Sequence, residues 1–204
     1  MKLQKLLIGI PTLEYIHYQF VNSLTQLVLH LKNEGIDVDV FFKGETLIYA
    51  ARDAVAEKAI NGGYTHILWL DADMVFEKDL VDKMLEIKKP FVTAICYSRR
   101  YPYKPCIFKH LAPSKRYESP KEYPSEIFQI GGCGFACVLM EVEMLRKLKK
   151  LHYQMFMPTP DLGEDLAFCK RATDFGYELW ADPNLRVGHI AHIPIYQEDC
   201  VDES

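Results

Sequence analysis

Two aspartates separated by one residue, Asp71-Ala72-Asp73, directly follow the apolar run His66-Ile-Leu-Trp-Leu70. Carboxylates held that close resist ionising together unless a cation neutralises them. Oxygen ligands of this kind suit Mn²⁺ or Mg²⁺, ions commonly held by few protein groups, so that positions stay open for substrate phosphates. Turn aspartates capping a helix have the same composition, and for an isolated pair that plainer reading is the stronger one. A second acidic pair, Glu164-Asp165, follows a loop bearing Pro158, Pro160 and Gly163. A helix N-terminus stabilises negative charge, so both carboxylates are expected to stay ionised and able to accept a proton. An acidic first turn explains the composition but not the loop that presents it. His189, in Arg186-Val-Gly-His189, offers an imidazole better suited to Mn²⁺ than to Mg²⁺. His192, three residues on, has the weaker case. Arg52, early in an alanine-rich stretch, is either a solvent-facing helix residue or a forked donor to a phosphate; composition favours the first.

The elements that must position these groups alternate along the first ninety residues. Leu6–Ile10 is a continuous apolar run closed by Pro11, as in a strand covered on both faces. Phe20, Val21, Leu24, Leu27, Val28 and Leu31 fall at helical spacing, and Gly35 closes that helix. Val38–Phe42 reads as a strand, Ile48–Ile60 as a helix, His66–Leu70 as a buried strand, Leu80–Leu85 as a helix and Phe91–Ile95 as a strand. This order predicts an α/β, Rossmann-like, mostly parallel central sheet with right-handed crossovers and helices on both faces. Ligands of such sheets sit at the carboxyl ends of the strands, where Asp71 and Asp73 fall.

Further along, residues 97–127 break the rhythm. Between Arg99 and Lys121 there are seven Lys or Arg and one Glu, with Tyr101, Tyr103, Phe108 and Tyr117 interleaved. Connections of this length are commonly lids or binding loops, although a solvated β-ribbon fits equally. Regular structure resumes with strands at Phe128–Ile130 and Phe135–Met140, helices at Val142–Leu148 and Glu164–Phe175, and a strand at Glu178–Ala181. Residues 1–196 thus read as one domain and the acidic residues 197–204 as a frayed tail.

With 204 residues and a net charge of −4, the chain has a real core and no electrostatic reason to bind nucleic acid or an anionic membrane. The apolar run near the N-terminus is too short for a signal peptide, and no stretch approaches the ~20 apolar residues of a membrane span. A cytoplasmic location is expected, with the six cysteines as free thiols.

Taken in order, Ile8-Gly-Ile-Pro-Thr12, Ala51-Arg-Asp53, Leu68-Trp-Leu-Asp-Ala-Asp73, Gly131-Gly-Cys-Gly134, Gly163-Glu-Asp-Leu-Ala-Phe-Cys-Lys-Arg171 and Val187-Gly-His189 resemble the glycosyltransferases of the GT-A fold, especially those similar to glycosyltransferase family 2. The resemblance covers roughly residues 6 to 190 and implies transfer of a hexose from a UDP- or GDP-linked donor to a glycan, protein or lipid hydroxyl, with inversion. It implies that Pro11 and Thr12 line the nucleotide pocket, that Arg52 contacts the diphosphate, and that Asp71 and Ala72 lie against the donor. It further implies Asp73 and His189 as metal ligands with Asp71 near them, Gly132 and Cys133 as backbone against the donor sugar, and Asp165 with Glu164 at the catalytic base. The acidic residue that reads the base in many relatives has no match in Phe41-Phe-Lys-Gly-Glu45, which leaves the base open. Two other readings stand beside this one. A phosphohydrolase of the haloacid dehalogenase type would use Asp71 as nucleophile, but its motif belongs on a first strand. A non-catalytic nucleotide-sugar or glycan-binding module would keep the fold without turnover.

Overall fold

The computed structural model describes residues 3–12, 15–44, 46–99, 101–109 and 119–191. Residues 197–204, His192, Glu45 and residues 110–118 of the basic segment lie outside the described residues.

Strand β1 (Lys5–Pro11), helix α1 (Tyr18–Asn33), β2 (Asp37–Lys43), α2 (Ile48–Asn61) and β3 (His66–Leu70) follow the pattern read from the sequence. After them come β4 (Met74–Phe76), α3 (Leu80–Glu86), β5 (Phe91–Ala94), β6 (Ile107–Phe108), β7 (Phe128–Ile130), β8 (Gly132–Cys133) and β9 (Cys137–Glu141). The described chain closes with α4 (Val142–Lys149), α5 (Glu164–Asp174), β10 (Leu179–Asp182) and β11 (Val187–His189). Phe20, Leu24, Leu27 and Leu31 form the buried stripe of α1, spaced as one face of a 3.6-residue period requires. The helix ends where Gly35 takes a positive φ of 75°, which frees its amide to bond the Lys32 carbonyl.

The central sheet has the order β2-β1-β3-β9-β5-β10-β7. Strands β2, β1, β3, β5 and β10 run one way, and β9 and β7 run against them. The mostly parallel sheet is therefore present, with one difference from the simple alternation. β5 does not adjoin β3; β9 lies between them, antiparallel to both. The cause is the apolar run before Glu141: Cys137–Met140 is buried throughout, and only an interior slot covers both of its faces.

Alternation along β1 splits the core in two. Leu6, Ile8 and Ile10 pack with Leu27 of α1 and Val81 of α3, whereas Leu7 packs with Val55 of α2, Leu145 of α4 and Phe168 of α5. Below the cleft, Trp69, Phe135, Phe156 and Phe168 form an aromatic cluster in which Phe156 stacks on Phe168 at 4.5 Å. The five described cysteines are free. Among the described residues, no helix is long and apolar enough to cross a membrane.

Candidate active site

A cleft opens at the carboxyl ends of β1 and β3. Pro11 and Thr12 leave β1, Asp71, Ala72 and Asp73 leave β3, Arg52 projects from the start of α2, and Glu164 and Asp165 open α5; all line one cavity of about 390 Å³. Helix α2 comes close because β1 carries Gly9: a Cβ there would stand 2.3 Å from the Val55 side chain. Opposite, the loop before α5 is tied down from two sides. Asp53 accepts the amides of Met155 and Phe156 at 2.8 and 3.1 Å, and Arg171 donates to the carbonyls of Met155 and Met157. Ala51-Arg-Asp53 thus does two jobs from adjacent positions, one side chain serving the cleft and the next holding the wall behind it.

Arg52 is buried, with 2 % of its side chain exposed, and one guanidinium meets three carboxylates. Its Nε lies 3.1 Å from Asp165 Oδ1 and 3.9 Å from Glu164 Oε1, and its Nη2 donates to Asp71 Oδ1 at 3.4 Å. The solvent-facing reading of Arg52 made from composition needs correcting. Its side chain is buried at the cleft, the carboxylates surround it, and Phe135 covers its face at 5.3 Å.

The same cluster overturns the expectation that Asp165 stays ionised. Burial pushes its carboxyl up from the ordinary 3.8 to about 7; Arg52 opposes the rise, while Glu164 and Asp71 add to it. A helix N-terminus is worth roughly 0.3–1 kcal/mol, less than one pKa unit, and loses to desolvation here. Arg52 is raised too: burial lowers its pKa, but Asp165, Asp71 and Glu164 raise it by more. The two directions agree once charge is counted. A single positive group among three potential negatives is always charged, and the last carboxylate to ionise resists.

Asp73 belongs to a separate arrangement built by long-range pairing. β4 and β11 form a two-stranded antiparallel sheet in which His189 faces Met74, and Ile190 donates its amide to the Asp73 carbonyl at 2.8 Å. This sets His189 Nε2 3.2 Å from Asp73 Oδ1. The other ring nitrogen, Nδ1, lies 2.8 Å from the Tyr97 carbonyl, which accepts only from an N–H. Tyr97 therefore fixes the proton on Nδ1 and leaves Nε2 as the exchangeable position, the arrangement common for metal-bound histidines. The hydrogen bond to Asp73 raises the His189 pKa above its ordinary value, against burial. Burial also works against an ionised Asp73, but His189 and Arg99 overcome it and hold the carboxyl below the ordinary range.

Asp71, expected near the metal, pairs with Arg52, and no three His, Cys, Asp or Glu side chains cluster at metal-binding distance among the described residues. Gly132 and Cys133 do not reach the cavity wall. They pair with Phe108 and Ile107 in a small sheet, and Cys133 is buried. The reading of the sequence missed Tyr15, His17, Thr46, Ile48 and Arg99 as cleft-lining residues. Arg99 was visible only as one of seven basic residues in a long segment. In the structure its Nη1 meets Asp73 Oδ2 at 2.6 Å.

No protein-family model matches this chain, and no curated protein matches it. Solved structures do resemble it. The protein A197 from STIV superposes with a TM-score of 0.62 at 15 % identity, covering 93 % of this chain and 87 % of that one. The catalytic domain of Drosophila beta1,4galactosyltransferase 7, in complex with xylobiose, gives 0.55 at 13 % identity over 98 % and 77 % of the two chains. Inositol-1-phosphate CTP transferase from T. maritima gives 0.54 at 9 % identity over 99 % and 94 %. The fold is of the GT-A type. At these identities the likeness speaks for the architecture, and any activity has to be argued from the cleft itself.

Proposed function

We propose that this chain is a nucleotide-sugar-dependent glycosyltransferase that moves a hexose from a UDP- or GDP-linked donor to an acceptor hydroxyl with inversion. The observation that carries the reading is a single cleft, at the strand ends of a GT-A-type sheet, lined by both Asp73 and Asp165, with His189 Nε2 3.2 Å from Asp73 Oδ1.

The donor set fits a divalent cation, Mn²⁺ better than Mg²⁺. Asp73 is held ionised, Nε2 of His189 sits beside it, and few protein ligands leave room for phosphate oxygens. When bound there, the ion would supply charge neutralisation for the departing nucleoside diphosphate. The rest belongs to the chain. Pro11 and Thr12 at the end of β1 form the wall against the nucleotide. Asp165 takes the proton of the acceptor hydroxyl as that oxygen attacks the anomeric carbon and the bond to the diphosphate breaks. A carboxyl titrating at about 7 is half ionised at neutral pH, which suits a base that must both accept and later release a proton. Arg52 holds Asp165 in place, and burial sets that value, with Arg52 opposing the rise and Glu164 adding to it.

The phosphohydrolase alternative is disfavoured by position: its motif belongs on a first strand, and here two βα units precede Asp71, which follows β3. Incubation with a panel of UDP- and GDP-linked sugars, in Mn²⁺, Mg²⁺ or EDTA, tests the reading. Metal-dependent release of UDP or GDP is the expected result. Binding of donor without release under any acceptor condition would indicate the non-catalytic module, and neither binding nor release would sink the reading altogether.

A further inference from the structure

Among the described residues lining the cleft, only Arg52 and Arg99 carry a full positive charge at all pH values of interest. Arg52 is buried and engaged by three carboxylates, which leaves it little capacity for a diphosphate. Arg99 differs on each count. Its side chain is 57 % exposed and its one ion-pair partner among the described residues is Asp73. Its backbone sits in an anchored hairpin: Tyr97 bridges Pro105, Ser98 donates to the Lys104 carbonyl at 2.9 Å, and Cys106 donates to the Cys96 carbonyl at 2.8 Å. The root is fixed and the guanidinium is free to change partner.

Both oxygens of Asp73 are taken, Oδ1 by His189 and Oδ2 by Arg99. A cation arriving at Asp73 competes with them for the carboxylate. Arg99 is the easier to move, since an exposed pair on a long flexible stem is weakly held. Once displaced it remains at the same cleft, where its planar fork matches two phosphate oxygens.

We propose that Arg99 is the diphosphate-binding cation of the donor site and, before donor and metal arrive, the occupant of the Asp73 carboxylate with which a metal competes. The proposal rests on the glycosyltransferase reading and assigns the site a positioning residue outside the family-like motifs. It makes two predictions of opposite sign for one substitution. Removing Arg99 frees Asp73, so Arg99→Ala binds Mn²⁺ alone about two- to fivefold more tightly than wild type. The same change removes a charged donor to phosphate, so the variant binds nucleoside diphosphate plus Mn²⁺ about tenfold or more weakly.

The experiment measures free Mn²⁺ by electron paramagnetic resonance for Mn²⁺ alone. Calorimetry then follows whichever of UDP, GDP, CDP and ADP wild type binds best with Mn²⁺. Arg99→Lys serves as the partial rescue, since it keeps the charge without the fork, and its nucleotide affinity falls between the other two. An unchanged thermal midpoint establishes that the variants fold. Unchanged Mn²⁺ affinity in Arg99→Ala, or unchanged nucleotide affinity, overturns the proposal, as does a loss in both arms, which is what a purely structural residue would give. If wild type itself binds none of the four nucleotides, the glycosyltransferase reading falls and this proposal with it, a result separable from the others because no substitution is involved.

Discussion

At the residue scale the chemistry depends on a mismatch of charges: one buried guanidinium among three carboxylates. That mismatch, together with burial, places the Asp165 titration at about 7 rather than near 4. If Asp165 is the base, kcat/KM should fall about tenfold per pH unit on the acid side of a break near pH 7, because only the ionised form accepts a proton. Asp165→Asn keeps the shape but cannot take the proton, and kcat should drop by roughly 10²–10⁴-fold with donor affinity little changed. A break near pH 4, or an unchanged kcat, would move the base elsewhere. Asp73 makes a different forecast. Asp73→Ala should abolish metal-dependent donor binding in calorimetry while leaving the far-ultraviolet spectrum intact, since its partners His189 and Arg99 are polar groups outside the core. Metal-dependent binding at wild-type strength would refute the assignment.

Pairing at the element scale decides where the imidazole goes. β11 lies against β4 so closely that a Cβ on Gly188 would stand 2.7 Å from the Val75 side chain. Valine is too short and branched to swing clear, so Gly188→Ala should push β11 outward and carry His189 away from Asp73. Changes that disturb the support of a metal ligand typically cost 10–100-fold in affinity, and a loss of about that size in a Mn²⁺ titration is the expected outcome. Affinity equal to wild type would mean that the two-stranded sheet does not position the ligand. Elsewhere the same logic is visible in Asp53 and Arg171, which fix the segment 155–157 and through it the approach to α5.

For the whole molecule, the raised Asp165 pKa links stability to pH. The folded chain holds this proton up to about pH 7, whereas the unfolded chain releases it near the ordinary 3.8. Between those values the native state binds more protons, so this residue's contribution makes stability fall as pH rises. Asp165→Asn should therefore gain stability relative to wild type on going from pH 4 to pH 8 without metal, with no gain at the acid end. Urea midpoints in EDTA across that range provide the check. A difference independent of pH, or one growing toward acid, would show that burial does not oppose this ionisation.

Much of the architecture was legible in local pattern. Continuous apolar runs located β1, β3 and β9 because burial on both faces leaves no polar position, and the 3.6-residue stripe located α1 because one face alone is covered. Asp71 and Asp73 were found because they sit where an apolar strand ends, and Glu164 and Asp165 because they open a helix after a loop of Pro158, Pro160 and Gly163. Periodicity records only whether a segment is buried, not its neighbour, so the insertion of β9 between β3 and β5 was invisible. Nor does it record the environment of a charge. Arg52 read as a surface residue or phosphate donor, and only its meeting with the first turn of α5 revealed it as the counter-ion of the carboxylates. The meeting of His189 and Arg99 at Asp73 likewise required strands and a hairpin distant in sequence to close on one point, an outcome of the shared core beneath them that no short-range pattern encodes.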